Sequence, residues 1–356
     1  MKSRVAQLLE RVPWVGSALM LIVPLLALTV AIDLYDKVML ERILIGMFIN
    51  VVLVVGLQSF TGNSGLVSFG HISFMAIGAY ASVLLIMSPA KKAYTLPYLT
   101  GPLAQIETPF ILGILLAALF TAVLAALIGF PLMRLSGSAA TMATFALLII
   151  THVILINAET YTRGTRTMYG LENYTTLWMS ALWAVLVIIG AFVFKESRVG
   201  LMLRASREQE EAASAIGVNV VIVRWVAFVV SAFISALGGA LWAYFITSIS
   251  PQTMYIHTTF LTVAMLIVGG TGSVSGAVVG TVVITGLFEG LRAMEIWISA
   301  LRLAGQTAAG FTEVLLGAAM ILALVLRPLG LMMGQEVRLP ARFRRRLQTR
   351  TLKSER

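Results

Sequence analysis

The chain has 356 residues, of which 59% are hydrophobic and only 12% are charged, and its formal net charge is +10. Because an ordinary soluble domain is about 45–50% apolar and about 25% charged, this composition excludes that class and indicates a membrane protein. The chain has no cysteine and only three scattered histidines, which excludes disulfides, thiolate metal sites and a zinc site with regular ligand spacing.

Apolar runs long enough to cross a bilayer recur from residue 14 onward. The first run follows the charged segment 1–13 and is longer than the apolar core of a cleaved signal peptide, so we predict a retained span. The predicted spans are 14–32, 43–60, 66–88, 109–133, 138–157, 177–194, 222–247, 258–291 and 311–326. They predict an all-α, polytopic membrane helix bundle.

The run 258–291 is interrupted by four glycines near its middle. We interpret it as two short spans or a re-entrant hairpin, which raises the total to about ten membrane segments. An even number places both termini on one side of the membrane, together with the hydrophilic segment 195–222. Eighteen of the 26 lysines and arginines then lie on that side, which the positive-inside rule assigns to the cytoplasm.

The chain is thus predicted to have a cytoplasmic N-terminus (1–13), a transmembrane domain (14–332) and a basic cytoplasmic tail (333–356). Basic residues clustered next to a span are typical of an anchor at anionic lipid headgroups. We therefore predict that the tail contacts the lipid bilayer and that the chain has no nucleic acid partner. The cluster consists of Arg342, Arg344, Arg345 and Arg346.

Small residues at four-residue spacing predict seams where helices pack closely, because small side chains let helix backbones approach in lipid. Each seam either only holds the bundle together or also lines a path. The three seams are Gly272, Gly276 and Gly280; Gly286 and Gly290; and Ser231, Ser235, Gly239 and Ala243.

Two glycine-rich breaks interrupt the apolar sequence, at 61–65 (TGNSG) and 269–273 (GGTGS). Irregular backbone at membrane depth occurs where it is buried in protein or lines a cavity, and paired breaks in two halves of a chain point to a translocation site. Both breaks are followed by Val-Ser and then Gly, which indicates either an internal repeat or chance in a glycine-rich sequence. The candidate translocation path is Asn50, Gln58, Asn63, Ser64, Ser68, His71, Gly269, Gly270, Thr271, Gly272 and Ser273.

Ionisable side chains are scarce within the predicted spans, and no Asp or Lys lies at the centre of one. This scarcity argues against a proton-coupled carrier and favours a passive channel or a path driven from outside the membrane. His71 follows the first break, and a histidine hydrogen-bonded between helices is a better interpretation of it than direct contact with a solute.

The hydrophilic segment 195–222 contains one strong helix pattern. Ser206 is suited to the N-cap, acidic residues fill the first turn, alanines follow, and Gly217 is suited to a left-handed C-cap. The alanine-rich side is smooth enough to fit a groove on a partner protein.

The residues from Glu211 to Gly217 resemble the EAA-type cytoplasmic loop of ABC importer permeases, which docks on the ATPase subunit. More specifically, the chain resembles the LivM-type permeases of branched-chain amino acid importers over roughly residues 40–332. The segments that carry this resemblance are 65–71, 78–80, 204–219, 227–233, 237–241, 268–273 with Gly276 and Gly280, and 327–331.

This resemblance implies a transport subunit rather than an enzyme, in the bacterial cytoplasmic (inner) membrane. It also implies a second homologous permease, two cytoplasmic ATP-binding subunits and a periplasmic solute-binding protein. The chain has no GxxxxGK[ST] sequence, so we expect it to bind no cofactor itself and ATP to be used by partner subunits. The residues expected to couple to the ATPase are Arg204, Arg207, Glu208, Glu211, Ala212, Ala213 and Gly217.

Other functions remain open at this point. Related permeases carry urea and short amides, and a self-sufficient secondary carrier or channel is the alternative from a different class. A membrane enzyme is disfavoured because neither a Ser-His-Asp set nor paired carboxylates gather at one depth. The external loop 162–170 is more basic than expected for the family, and its Arg163 and Arg166 either meet acids on a docking protein or are solvated loop charges.

Overall fold

The computed structural model describes residues 13–35, 37–300 and 310–337. Most of the predicted N-terminal segment 1–13 and the four arginines of the basic tail cluster lie outside these residues. In chain order the helices are α1 (Pro13–Tyr35), α2 (Val38–Ser64), α3 (His71–Ile86), α4 (Pro89–Thr95), α5 (Pro102–Gln105), α6 (Phe110–Leu132), α7 (Gly137–Asn157), α8 (Glu159–Thr162), α9 (Leu177–Glu196), α10 (Arg198–Glu208), α11 (Glu210–Ala215), α12 (Val220–Ile246), α13 (Ile256–Gly269), α14 (Val274–Ala300) and α15 (Phe311–Leu326).

Eight segments in the described ranges are long and apolar enough to cross a membrane: α1, α2, α6, α7, α9, α12, α13 with the short 3₁₀ turn before it, and α14. The shorter apolar helices α3 and α15 accompany them. The predicted all-α bundle of about ten segments is therefore confirmed. The run 258–291 is divided at its glycines into two spans, as predicted, although only the first helix is short: α13 has 14 residues and α14 has 27. It is therefore not a re-entrant hairpin.

Successive membrane helices reverse direction, so the connections gather at two ends of the bundle. We call the end that holds both glycine breaks, 197–219 and 327–337 the break end. The opposite end, the hairpin end, holds the connections 87–109, 158–176 and 247–255. There β1 (Met168–Tyr169) pairs antiparallel with β2 (Ser248–Ile249).

Two helices, α2 and α12, form the centre of the bundle. Almost every residue of α2 from Leu44 to Ser64 is buried, as expected for a helix that is apolar on all sides. Helix α12 packs against α2, α3 and α6. Where α12 crosses α3, a Cβ atom placed on Gly239 would lie 1.9 Å from the Met75 carbonyl oxygen.

Two of the three predicted seams are thus packing seams in the fold. A Cβ atom on Gly280 would lie 2.1 Å from the carbonyl oxygen of Met265, so α13 and α14 also touch through their backbones. The third seam is different, because added Cβ atoms on Gly286 and Gly290 would meet no other atom of the described residues within 4 Å.

We expect Gly239→Val to disrupt the α3–α12 contact, because the added side chain meets backbone atoms that cannot move aside. Overpacking of this kind costs about 1–3 kcal/mol or more. Gly190→Val in α9 is the matched control, since a Cβ atom there meets nothing within 4 Å. Thermal unfolding in detergent should show a lower melting temperature for Gly239→Val only; equal effects would contradict the packing assignment.

Candidate functional site

The two glycine breaks lie against each other at the break end. Helix α2 ends at Ser64, and Gly65 follows in the left-handed conformation with a φ of 75°. Helix α13 ends at Gly269, before Gly270 with a φ of 112°. A Cβ atom placed on Gly62 would lie 2.3 Å from the carbonyl oxygen of Thr271, so the breaks are in direct backbone contact.

Arg207 connects the segment 195–222 to both breaks. Its guanidinium donates a hydrogen bond of 2.6 Å to the carbonyl oxygen of Gly62. Its aliphatic chain passes close to Gly65, and the guanidinium lies 3.6 Å from the Cβ position of Gly272. One of the residues expected to couple to the ATPase is therefore in contact with the candidate path.

The C-terminal strap, residues 327–337, closes over the second break. The backbone amides of Leu331 and Met332 donate to the carbonyl oxygens of Val268 and Gly269 at 2.8 and 3.0 Å. Gly330 has a φ of 75° and lies so close to Gly270 that a Cβ atom would be 2.6 Å from its Cα. In the sequence, residues 327–331 served only as part of the family resemblance. Their contact with the second break was not predicted.

Glu336 fixes the end of this strap. Its carboxylate accepts hydrogen bonds from the backbone amides of Val274 and Ser275 at 3.0 and 2.9 Å, and one from the Ser275 hydroxyl at 2.6 Å. An acid at this place caps the N-terminus of α14, where the helix dipole favours negative charge. The Lys195 ammonium lies 2.5 Å from the same carboxylate and donates to the Gly272 carbonyl oxygen at 3.1 Å.

The environment of Glu336 favours its charged form. Burial of the carboxyl acts to raise its pKa, but the Lys195 ammonium and the hydrogen bonds from Ser275 outweigh burial and hold the pKa below its ordinary value. Sequence reasoning missed Glu336, which lies in the predicted basic tail; an acid within so basic a segment was the available signal.

The segment 195–222 differs from its prediction at one point. The predicted helix beginning at Ser206 is wrong, because α10 begins at Arg198 after the Ser197 N-cap and runs through Ser206 to Glu208. Gln209 is extended and separates α10 from α11. Helix α10 continues through Ser206 because its apolar face, with Leu203 fully buried, packs on the bundle. The left-handed conformation of Gly217 is confirmed, with a φ of 90°.

Most of the expected coupling residues face outward. Glu208, Glu211, Ala212 and Gly217 are exposed, and the neighbouring Ile216 is 79% exposed. Two others serve the fold. Ala213 is the buried residue of α11, and the Arg204 guanidinium donates to the Lys195 carbonyl oxygen at 3.2 Å.

The polar residues after the first break form a buried cluster. The His71 ring lies 2.8 Å from the Ser68 hydroxyl and 2.7 Å from the Ser231 hydroxyl of α12. His71 therefore bridges two helices, as the sequence interpretation favoured. Asn63 donates to the Ser59 carbonyl oxygen at 2.9 Å, and both polar atoms of the Gln58 amide are buried without a partner among the described residues.

The candidate path residues fall into two groups. Gln58, Asn63, Ser64, Ser68, His71, Gly269, Gly270 and Ser273 are buried at the break end, and Thr271 and Gly272 are partly buried there. Asn50 alone of the set lines a cavity of about 710 Å³ in the half of the bundle toward the hairpin end. Leu53 lines this cavity and also a void of about 10 Å³ beside Ser68 and His71, so it separates the cavity from the buried polar cluster.

The basic loop at the hairpin end uses one of its arginines internally. The Arg163 guanidinium donates to the Thr167 carbonyl oxygen at 2.7 Å and lies 4.5 Å from the centre of the Tyr169 ring. Arg166 is exposed. Arg163 thus shapes the loop.

Comparison with known proteins identifies the family. The family model described as the branched-chain amino acid transport system permease component matches residues 39–324. The chain belongs to this family of permeases. The matched range contains both breaks, the segment 195–222 and every residue that lines the cavity, and it ends just before the C-terminal strap.

Individual relatives agree with this family. The permease is 25% identical to the high-affinity branched-chain amino acid transport permease LivM of Salmonella typhimurium over 320 residues, which is 80% of this chain and 68% of LivM. It is 24% identical to LivH of the same organism over 306 residues, 80% of this chain and 91% of LivH. The nucleoside permease NupC of Lactococcus lactis is 31% identical over 85 residues, 24% of this chain and 27% of NupC. No solved structure matches the chain.

We expect Glu336→Gln to destabilise the permease, because it leaves the buried Lys195 ammonium without its counter-charge. Leaving a buried charge unpaired costs about 1–3 kcal/mol or more. Thermal unfolding in detergent measures the loss. Glu313→Gln is the control, since this acid is exposed in the first turn of α15, and it should unfold close to the unmodified permease.

The same pair predicts a dependence on pH. The pKa of Glu336 is lowered on folding, so its contribution to stability is present above the ordinary value of 4.5 and is lost as the pH falls through the folded value. Acidification below that value should therefore destabilise the unmodified permease more than the Glu336→Gln variant. Parallel loss of stability in both would contradict the assignment.

Proposed function

We propose that this permease is one transmembrane subunit of an ATP-driven importer of branched-chain amino acids in the bacterial cytoplasmic membrane. LivM and LivH, which match over most of this chain, are permeases for that class of solute. In this proposal a periplasmic solute-binding protein delivers the amino acid. A second homologous permease completes the path, and two cytoplasmic ATP-binding subunits hydrolyse ATP.

The break end faces the cytoplasm in this proposal. Counted over the whole chain, 18 of the 26 lysines and arginines lie on this side of the predicted topology. The hairpin end then faces the periplasm, where its cavity is available to a solute released by a binding protein. Both termini are cytoplasmic.

The energy for transport enters through α10 and α11. The chain has no P-loop sequence, so ATP must act on it through a contact surface. The exposed Glu208, Glu211, Ala212 and Ile216 form that surface, and they fit a groove on an ATP-binding subunit. Helix α11 is fixed to the bundle by Glu210, which accepts two hydrogen bonds from Arg224 at 3.1 and 2.8 Å.

The observation that carries the proposal is the hydrogen bond from Arg207 to the Gly62 carbonyl oxygen. Arg207 belongs to the same helix as the docking residue Glu208, and Gly62 touches the second break at Thr271. A displacement of α10 is therefore applied directly to both breaks. ATP can shift the permease toward one arrangement of the breaks only to the extent that the ATP-binding subunits bind ATP more tightly in that arrangement than in the other.

Two alternatives are separated by reconstitution. A urea or short-amide importer would use the same subunits and would differ in the solute that ATP drives inward. A self-sufficient carrier or channel would move solute when this chain alone is placed in vesicles. We expect flux only with the companion permease and ATP-binding subunits present; flux through the chain alone would overturn the proposal.

We expect Arg207→Gln to uncouple the assembled transporter. The variant loses the charged hydrogen bond to Gly62, so ATP hydrolysis should continue while uptake of labelled leucine in proteoliposomes falls about tenfold, the loss typical of one such bond. Arg198→Gln on the same helix is the matched control, because both arginines are exposed but only Arg207 donates a hydrogen bond to a break. Equal uptake by the two variants would remove Arg207 from the coupling path.

We also expect Gly217→Val to impair coupling. The position has a φ of 90°, which a β-branched residue adopts with strain, so the turn after α11 must rearrange. Gly137→Val carries a similar strain, with a φ of 57°, at the turn between α6 and α7, outside the docking surface. Uptake per ATP hydrolysed should fall for Gly217→Val and stay near normal for Gly137→Val, whereas an equal fall would show that strain alone is responsible.

A further inference from the structure

The cavity toward the hairpin end has the size and walls of a small-molecule site. Its volume of about 710 Å³ lies within the range of about 300–1,000 Å³ that is usual for ligand pockets. Helices α2, α3, α12, α13 and α14 all contribute to it. The walls are mostly apolar and include Ile43, Leu53, Trp242, Phe245, Leu261 and Phe288.

The lining of the cavity also includes charged side chains of both signs. Arg42 of α2 and Arg292 of α14 line the cavity, and so does Glu289 of α14. The Arg292 guanidinium and the Glu289 carboxylate are 4.0 Å apart, which leaves both with capacity for a ligand. Arg42 and Arg292 are exposed and Glu289 is partly buried, so the three charged groups lie on the open side of the cavity, next to the ends of the apolar runs. Ionisable groups of membrane helices that face a cavity commonly mark a solute path.

A polar side chain deeper in the cavity also lacks a partner. Thr285 is 8% exposed and lines the cavity, and its hydroxyl has no hydrogen-bond partner among the described residues. Asn50 lies nearby on the cavity wall from α2. A buried hydroxyl without a partner is costly unless a ligand or water satisfies it.

The remaining acids near Arg292 are outside the cavity or already engaged. Arg292 also borders an adjoining open hollow with Glu295 and Glu313. The Glu295 carboxylate accepts a hydrogen bond of 3.1 Å from the Thr312 amide and another from the Thr312 hydroxyl. Glu289 is therefore the acid that the cavity itself presents.

We infer that this cavity is a binding site for an apolar amino acid in its zwitterionic form, on the permease itself and separate from any binding protein. Arg42 and Arg292 would hold the α-carboxylate, for which guanidinium groups provide paired donors. Glu289 would hold the ammonium group, and the aromatic and aliphatic wall would hold the side chain. The inference rests on the proposed function and adds to it that the permease selects its solute.

The charges also decide between the solutes that the sequence left open. A neutral amide or urea offers no charge to Arg42, Arg292 or Glu289, so it lacks the charge-assisted hydrogen bonds that a zwitterion can make with these groups. A zwitterion compensates both signs at once. The cavity should therefore reject amides even when their apolar part has the shape of leucine.

Equilibrium binding of radiolabelled leucine to the full chain in lipid nanodiscs, with no solute-binding protein present, tests this site. We expect saturable binding that unlabelled leucine and isoleucine displace. 4-Methylpentanamide, which has the leucine side chain without either charge, should compete at least about tenfold less well, because each charged hydrogen bond lost costs about a factor of ten. Leucinamide and 4-methylpentanoate, with one charge each, should lie between.

Variants locate the site within the cavity. Glu289→Gln and Arg292→Gln should each weaken leucine binding about tenfold or more. Arg166→Gln removes an exposed cation at the same end of the bundle and should leave binding unchanged. Glu289→Asp and Arg292→Lys provide folded substitutes if either glutamine variant fails to elute as a single species, and they should show intermediate affinity.

Three results would overturn the inference: no saturable binding to the unmodified chain, competition by 4-methylpentanamide equal to that by leucine, or equal affinity of the Glu289 and Arg166 variants. None of these results would contradict the proposed function. ATP-dependent uptake by the assembled transporter tests that function separately, and only a complete set of subunits that does not transport would contradict it.

Discussion

The carbonyl groups left unpaired where two membrane helices stop are the constraint on which the rest of this structure depends. A helix leaves its last four carbonyls without internal partners, and lipid offers none. Here α2 stops at Ser64 and α13 at Gly269. The Gly62 carbonyl of α2 is satisfied by Arg207, and the Val268 and Gly269 carbonyls of α13 are satisfied by the strap amides of Leu331 and Met332. Lys195 donates to the Gly272 carbonyl in the break that follows α13.

Arg207 belongs to α10 and Lys195 to the last turn of α9, directly before the segment that connects α9 to α12, and their positions link structure to transport. A cation at a helix C-terminus is favourable because the helix dipole is negative there. The same two residues tie the surface on which an ATPase would act to the break in each half of the permease. The strap adds a further constraint, because Glu336 binds Lys195 and caps α14 at once. The two breaks, α10 and the strap are therefore joined at the break end by direct contacts. The 710 Å³ cavity lies on the opposite side of Leu53.

Local patterns in the sequence predicted much of this architecture. The length of the apolar runs predicted the spans, the glycine-rich segments predicted both breaks, and Gly217 was correctly predicted in a left-handed turn because few other residues tolerate that conformation. The predicted helix start at Ser206 was wrong, since local capping preference was overridden by the packing of Leu203 on the bundle. Local sequence patterns could not predict contacts between residues that are far apart in the chain. Lys195 and Glu336 are 141 residues apart, and Arg42 meets Arg292 and Glu289 around one cavity only after α2 and α14 have packed.

The central claim is that α10, the two breaks and the strap move as one body. The cysteine-free sequence allows spin labels to be placed at single introduced cysteines, at the exposed positions Ala205, Gln335 and Arg166. Pulsed electron spin resonance on the assembled transporter, without nucleotide and with trapped ATP, measures the distances between them. The account predicts an unchanged distance from 205 to 335 and a changed distance from 205 to 166. A changed distance from 205 to 335 with a constant distance from 335 to 166 would mean that α10 slides over the breaks, and would contradict it.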